Sequence, residues 1–285
     1  MRSLYICGPG RSGTSVMAAQ LSGVPGIFYP GFEQKVFSET DGLTDVLRNA
    51  TVAFSPNRGW ESARRLRYLW VRAVKGWQDS ARSAEEHQLV HDALMSAIDV
   101  LCSELPAGMW TGNDLATARG AILEFQRRVA LAIQKDPVDF SIYLDDTPQA
   151  LTGADSLLRL APDSLFLEVV RDPRRVAASI TAMPWGPDDL AGAIKWVADY
   201  ARMTRRMKAR IPQDAVLRLK LEEISGNRDH AAEQLSDFLG LHVSADVLSV
   251  IANEQANARA PLDAAIMSEA ARTALSSVNR DWGYS

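Results

Sequence analysis

Eight consecutive residues near the start of the chain, Gly8-Pro9-Gly10-Arg11-Ser12-Gly13-Thr14-Ser15, have the composition to hold an anion. Glycine and proline deny this stretch regular structure. Leu4 to Cys7 before it reads as a short buried strand, and Thr14 to Leu21 after it reads as a helix with early Ser and Thr hydroxyls. A strand, a glycine-rich turn and a helix N-terminus make a phosphate cradle, because unpaired N–H groups and the positive end of the helix dipole point at one place. The spacing Gly8…Gly13 is that of the nucleotide-binding loop G-x-x-x-x-G-K-[ST], but Thr14 stands where the lysine would be. ATP and GTP enzymes need that lysine on the β- and γ-phosphates and a hydroxyl on Mg²⁺. A loop that offers Arg11, Thr14 and Ser15 instead suits an anion held without a metal.

A second run with chemical content is Leu165-Phe166-Leu167-Glu168-Val169-Val170-Arg171-Asp172-Pro173, followed through to Ser179. The apolar residues read as a buried strand ending at Arg171, and Pro173 suits the first turn of a helix. Ser179 then lies about two turns into that helix. The planar fork of Arg171 and the neutral hydroxyl of Ser179 are both phosphate donors. Taken alone, an Arg-Asp-Pro turn is more often structural, its Arg paired with a carboxylate. Acidic candidates for proton transfer are Glu33, in the glycine-rich loop after the first helix, and Asp145 and Asp146, where a strand from Phe140 to Leu144 ends. Glu39 is a reserve, and capping of a turn before Pro148 explains Asp146 and Thr147 equally well.

Gly10-Arg11-Ser12-Gly13-Thr14-Ser15 resembles the 5′-phosphosulfate loop of sulfotransferases that use 3′-phosphoadenosine 5′-phosphosulfate (PAPS), and Arg171-Asp172-Pro173 through Val176 and Ser179 resembles their R-D-P-x-x-V-x-x-S segment. The resemblance covers residues 3–33 and 140–285 and hardly touches the middle. It implies that Gly10, Arg11, Ser12, Gly13, Thr14 and Ser15 hold the 5′-phosphosulfate, with Arg11 also steadying the leaving charge. It implies that Arg171 and Ser179 hold the 3′-phosphate. Glu33 matches by position the family's catalytic base. Arg280, in the closing Asn279-Arg280-Asp281-Trp282-Gly283-Tyr284, matches a basic residue that reaches the 3′-phosphate. The chain departs from the family pattern twice: Asp146 stands where a lysine neutralises the sulfonate, and Leu221 replaces a tyrosine beside adenine, which makes the base pocket more apolar. Asp146 is thereby an additional candidate catalytic carboxylate.

These residues need a scaffold, and the rest of the chain supplies one. Its 285 residues, 47% hydrophobic and 23% charged, can bury a full core. The expected fold is α/β: a parallel sheet flanked by helices, like that of the P-loop NTPases, in one domain over 1–285 with a helical insertion at about 40–136. In that insertion Trp60, Ala63, Leu66, Trp70, Val74 and Trp77 recur at helical spacing, as do Leu89, Ala93, Ala97, Leu101 and Leu105, and a further helix is expected from Ala116 to Lys135. Strands are expected at Ile27 to Tyr29 and Ala215 to Leu219, and helices at Leu190 to Ile211 and Arg228 to Leu241. The arginine series on the first long helix and on the helix after Leu190 reads as solvated faces. A net charge of −4 argues against general nucleic-acid binding. Two cysteines, the lack of an apolar span and the early start of the functional residues lead to an expectation of a cytoplasmic protein without membrane contact. His87, His91, His230 and His242 sit away from both motifs and form no metal signature, so no metal is expected. The function expected is sulfonate transfer to a hydroxyl or amine of a small-molecule or glycan acceptor, leaving adenosine 3′,5′-bisphosphate. The alternatives are an atypical kinase or NTPase, or a binding module without catalysis; the oligomeric state is unreadable.

Overall fold

The computed structural model describes residues 1–38, 40–78, 83–106, 108–133, 139–251 and 267–284, with the backbone alone over 71–78. Glu39, the end of the helix expected to reach Lys135, and the side chains of Val74 and Trp77 lie outside the described residues. The fold is α/β, as expected. Five strands run in the order β2-β3-β1-β4-β5: β1 Arg2–Cys7, β2 Ile27–Phe28, β3 Ile142–Asp145, β4 Leu165–Val170 and β5 Val216–Lys220. The sheet is parallel; Ile27 aligns with Ile142, and Phe166 to Val170 align with Val216 to Lys220. Strand interiors are continuously buried in β1 and β4 and apolar apart from Ser3 and Glu168, the pattern of a parallel sheet covered on both faces.

The chain divides into two compact units, Met1–Leu4 with Gly26–Ser164 and Tyr5–Pro25 with Leu165–Ser285. In the first, β2 and β3 are joined by α2 (Leu43–Thr51), α3 (Pro56–Gln78), α4 (Ala84–Asp99) and α5 (Gly112–Ile133), and α6 (Ala154–Leu160) follows β3. Ser83 caps α4 by accepting from the Glu86 N–H, and Glu85 and Glu86 complement the dipole in its first turn. The core here is aromatic: Phe37, Trp70 and Phe125 meet with ring centroids 5.7 to 6.4 Å apart, and the Trp70 indole donates to the Val36 carbonyl at 3.3 Å. The helical spacing of apolar residues does not carry through to burial at two positions. Leu66, Trp70, Ala93, Ala97 and Leu101 are inside, whereas Trp60 is 63% exposed and Leu89 is 51% exposed.

In the second unit, α1 (Thr14–Leu21), α7 (Pro173–Ile180), α8 (Leu190–Lys208), α9 (Leu221–Gly226), α10 (Arg228–Leu239) and α11 (Glu269–Trp282) surround β4 and β5. Val176, Ile180, Ile194, Val197, Leu275, Val278 and Trp282 form one buried cluster that fixes α7 against α8 and α11. Gly240 ends α10 in the left-handed region at φ 65°, where glycine is favoured. The basic series of α8 is largely paired: Arg202 with Asp199, Arg205 with Asp281, and Lys208 with Glu168. Glu168 is a fully buried carboxylate in β4, held at one oxygen by Lys208 at 2.6 Å and Arg218 at 2.8 Å. Removing either cation would leave a buried charge less compensated. Among the described residues no helix is long and apolar enough to cross a membrane.

Candidate functional site

The turn between β1 and α1 is built from backbone that only certain residues accept. Gly10, Arg11 and, after Ser12, Gly13 lie in the left-handed region at φ 75°, 58° and 100°. Left-handed residues set beside right-handed ones are the backbone from which anion nests are made, and this loop has the residues for it. Gly13 is the N-cap of α1 and supplies no side-chain oxygen to its first turn, so those N–H groups keep their capacity for an outside anion. Gly8 is required by close approach: a Cβ there would stand 2.3 Å from Ser12 Oγ and 2.5 Å from the Val169 carbonyl oxygen. The loop is held by the α8 indole of Trp196, which donates to the Pro9 carbonyl at 3.2 Å.

Around this loop lies a cavity of about 140 Å³, lined by Arg11, Gly13, Thr14, Ser15, Val16, Arg171 and Leu221. No carboxylate lines it. It is smaller than the roughly 300–1,000 Å³ of a whole-ligand site, a size for an anionic group rather than for a complete nucleotide. Arg11 is exposed and its Nε donates to Ser179 Oγ at 3.2 Å. Ser12 is fully buried and its Oγ has no partner among the described residues.

Arg171 leaves β4 with its Nε buried and likewise unpartnered among the described residues. Its guanidinium pKa is lowered, chiefly by burial, with Arg175 and Arg11 adding repulsion and Glu222 opposing them. The neighbouring acid does not neutralise it. Asp172 caps α7 through the Arg174 N–H at 2.9 Å and is gripped by the Arg174 guanidinium at 2.8 and 3.1 Å. The structural use of the Arg-Asp-Pro turn therefore falls on Asp172, and Arg171 stays available. A half-buried cation with an enclosed, unpartnered Nε, repelled by two arginines and only partly offset by Glu222, has room electrostatically for an anion.

Of the loop and strand-end residues expected to bind, Arg11, Gly13, Thr14, Ser15 and Arg171 meet at one cavity, with Ser179 attached through Arg11. Arg280 does not join them; it stands exposed in the last turn of α11 and is absent from the cavity wall. Its neighbour Tyr284 is tied down instead: its hydroxyl donates to Glu222 at 2.5 Å, and its ring lies 5.2 Å from the Lys220 ammonium. Glu222 also accepts from the Asp172 N–H at 3.1 Å, so the C-terminal segment is anchored to the backbone beside Arg171. Leu221 supplies apolar wall, and a Cβ on Gly13 would touch its Cδ1 at 2.9 Å. The anchoring by Glu222 and Tyr284 had no local signal in the sequence, because it joins residues 62 apart.

The acidic candidates belong to the first unit. Asp145, Asp146, Thr147 and Gln34 are all buried at the end of β3. One oxygen of Asp145 accepts from the Gln34 N–H at 3.0 Å, the Thr147 N–H at 3.1 Å and the Thr147 hydroxyl at 2.8 Å. Burial raises its pKa to about 7 against the pull of those hydrogen bonds, with Asp146 adding to the rise. Asp146 interacts with the hydroxyl of Tyr29, whose own pKa is raised by burial and then by Asp146, Asp145 and Glu33. Tyr29 was not singled out in the sequence; only its place next to a strand end marks it. Glu33 is the accessible carboxylate of this group, 34% exposed and 3.8 Å from the Lys35 ammonium.

The family model described as "Sulfotransferase family" matches residues 3–245. Among curated protein sequences none matches the chain. Two solved structures similar to it are the sulfotransferase domain from the curacin biosynthetic pathway, at 13% identity and TM-score 0.54, covering 100% of this chain and 99% of that one, and the sulfotransferase domain from the Synechococcus PCC 7002 olefin synthase, at 15% identity and TM-score 0.53, covering 100% and 94%. A sulfotransferase from Mycobacterium avium is similar at 12% identity and TM-score 0.50, covering 100% of this chain and 77% of that one. At these identities the likeness is one of fold.

Proposed function

The chain belongs to the sulfotransferase family, and from that premise we propose that it transfers a sulfonate group from PAPS to a hydroxyl or amine of a small-molecule or glycan acceptor. The observation that carries this reading is Arg171, in the wall of the anion cavity with its Nε buried and unpartnered among the described residues, and behind the loop Ser12 Oγ, buried and unpartnered in the same sense. They accompany a cavity with two arginines and no carboxylate. Buried donors without partners cost stability unless something accepts from them. A phosphate or phosphosulfate group fits that need.

PAPS, when bound, supplies an activated sulfonate whose leaving group is a phosphate. Gly10, Arg11, Ser12, Gly13, Thr14 and Ser15 would hold its 5′ end through N–H groups, hydroxyls and the fork of Arg11. Arg171 and Ser179 would hold the 3′-phosphate, with Arg280 an outer contact. Fixed positive groups of this kind stabilise charge developing on a phosphate oxygen without a metal. Glu33 would take the acceptor proton, because among the acidic candidates in the described residues it is the one with an accessible carboxylate. Asp145 and Asp146, being buried, would set the field around it and hold Tyr29. Asp146 occupies the position of the family's lysine, so the neutralising role of that lysine falls to Arg11. A cytoplasmic location and a single domain over 1–285 belong to the same reading.

Calorimetric binding of adenosine 3′,5′-bisphosphate tests it, with ATP as control and Arg171→Ala as the variant. A charged contact to phosphate is worth about 1.5–3 kcal/mol, so affinity should fall about ten- to a hundredfold. Preference for ATP, or indifference to the loss of Arg171, would overturn the reading. Bisphosphate binding without turnover on any acceptor would leave a nucleotide-binding module.

A further inference from the structure

The first unit contains a second and larger cavity, of about 620 Å³, walled by the turn before α2, by α2 and by the first half of α3. That volume lies within the range of whole small-ligand sites. Its wall includes Asp41, Asp45 and Asn49 on one side and Asn57, Trp60 and Ser62 on the other.

Trp60 is the residue that the helical periodicity would put inside, yet it is 63% exposed and lines this cavity. The Arg64 guanidinium lies 5.9 Å from its ring centroid, which holds the indole in place. An exposed, oriented indole offers an apolar face to a flat apolar surface of a ligand.

The carboxylates of the wall are already matched. Asp41 is paired with Arg65 at 3.1 Å, Asp45 with Arg48 at 3.5 Å, and Glu61 with both Arg64 and Arg65 at 2.8 Å. Every carboxylate of the wall is thus opposed by an arginine. Arg58 also lines it, but that guanidinium is exposed and donates to the Ala53 carbonyl at 3.5 Å, so this positive charge beyond the ion pairs is screened by solvent and selects weakly for an anion. What remains for a ligand are neutral amide and hydroxyl groups and the second lone pairs of the paired carboxylates. Asn49 donates to Ser62 Oγ at 2.6 Å, which fixes both groups.

The rim is also pre-set at some cost. Asp41 is a non-glycine residue in the left-handed region at φ 65°. Its N–H donates to Asp45 at 2.9 Å while its carboxylate reaches Arg65. Backbone of this kind costs about 1 kcal/mol or more and persists where surrounding contacts impose it.

A fixed indole, planar side chains that donate and accept, and carboxylates all matched by arginines, with the exposed Arg58 in excess, match a ring with apolar C–H faces and a belt of hydroxyls. We propose that the α2–α3 cavity is a binding site for a neutral saccharide or cyclitol. The site is argued without reference to sulfonate transfer and stands or falls separately from it.

Saturation-transfer NMR on the full chain tests the proposal, with maltose, cellobiose and myo-inositol as probes and glucose 6-phosphate as the anionic control. At about 10 mM, where a millimolar site is filled, at least one neutral probe should receive saturation at its ring protons. Trp60→Ala, a change at an exposed side chain that should leave the melting temperature in place, should abolish it, and Asn57→Ala should weaken it severalfold. Arg171→Ala should leave it unchanged. Transfer to none of the neutral probes, transfer to glucose 6-phosphate alone, or transfer that survives Trp60→Ala would each overturn the proposal.

Discussion

At the carboxyl end of β3, burial divides neighbouring carboxylates into different tasks. Asp145 is held up to about 7 because its charged form loses hydration that three hydrogen bonds to one oxygen do not fully replace. The folded chain therefore holds this proton more tightly than the unfolded chain, whose value is near 3.8. The sign follows: stability falls as pH rises from about 4 to about 7 and levels off above that. The loss is on the order of 4 kcal/mol at most. Asp145→Asn keeps the accepting oxygen and removes the titration, so urea midpoints measured at pH 5 and pH 8 should differ in the wild type and converge in the variant. An unchanged pH dependence in Asp145→Asn would mean that Asp145 is ionised throughout. Glu33 differs in being accessible, 34% exposed and 3.8 Å from the Lys35 ammonium. Glu33→Gln should lower kcat about a hundredfold, within the usual range for a general base, while calorimetric affinity for adenosine 3′,5′-bisphosphate stays the same. A fall in that affinity would reassign Glu33 from proton transfer to holding the loop.

The loop between β1 and α1 shows how a small element depends on the strand beside it. A methyl group on Gly8 would meet the Val169 carbonyl of β4 at 2.5 Å, and backbone in a central strand cannot yield cheaply. Gly8→Ala should cost about 1–3 kcal/mol by overpacking and should weaken bisphosphate binding as the loop distorts. Gly112→Ala, at the start of α5 with nothing within 4 Å of the added carbon, is the matched control and should do neither in thermal melts and calorimetry. This loop was legible in the sequence because its constraints are local: glycine positions, the missing lysine and the helix start all lie within eight residues. The α7 turn was legible in part. Asp172-Pro173 announces a cap, but only packing reveals that Asp172 spends itself on Arg174 and leaves Arg171 free to meet an anion. Strand limits shifted by one or two residues, as at Ile142–Asp145 against an expected Phe140 to Leu144, because edge residues pair according to their neighbours and not their own composition. Periodicity counted Trp60 and Trp70 alike. It cannot say where a helix leaves the core, so Trp70 is enclosed by Phe37 and Phe125 while Trp60 faces a cavity. The contact of Tyr29 with Asp146 joins residues more than a hundred positions apart and has no local trace.

At the scale of the whole chain, the two compact units share one strand: Arg2 to Leu4 of β1 count with the first and Tyr5 to Cys7 with the second. The anion cavity belongs wholly to the second unit. A ligand that binds only the folded form stabilises whatever unfolds together with its site, by about 2.7 kcal/mol at a hundred times its Kd. A strand whose residues serve both cores should not be able to leave one without disturbing the other, since pulling Tyr5 to Cys7 out of register also displaces Ser3 and Leu4, which are buried. Differential scanning calorimetry should accordingly show one transition, and saturating adenosine 3′,5′-bisphosphate should move all of it upward by about 5 °C. Two transitions, with only one moved by the ligand, would mean that β1 frays at its middle and that the units melt independently. Hydrogen exchange followed with and without the bisphosphate separates those cases by segment. Linked unfolding slows the most protected amides of β3 in the first unit together with those of β4 in the second, whereas independent units confine the slowing to β4, β5 and the loop.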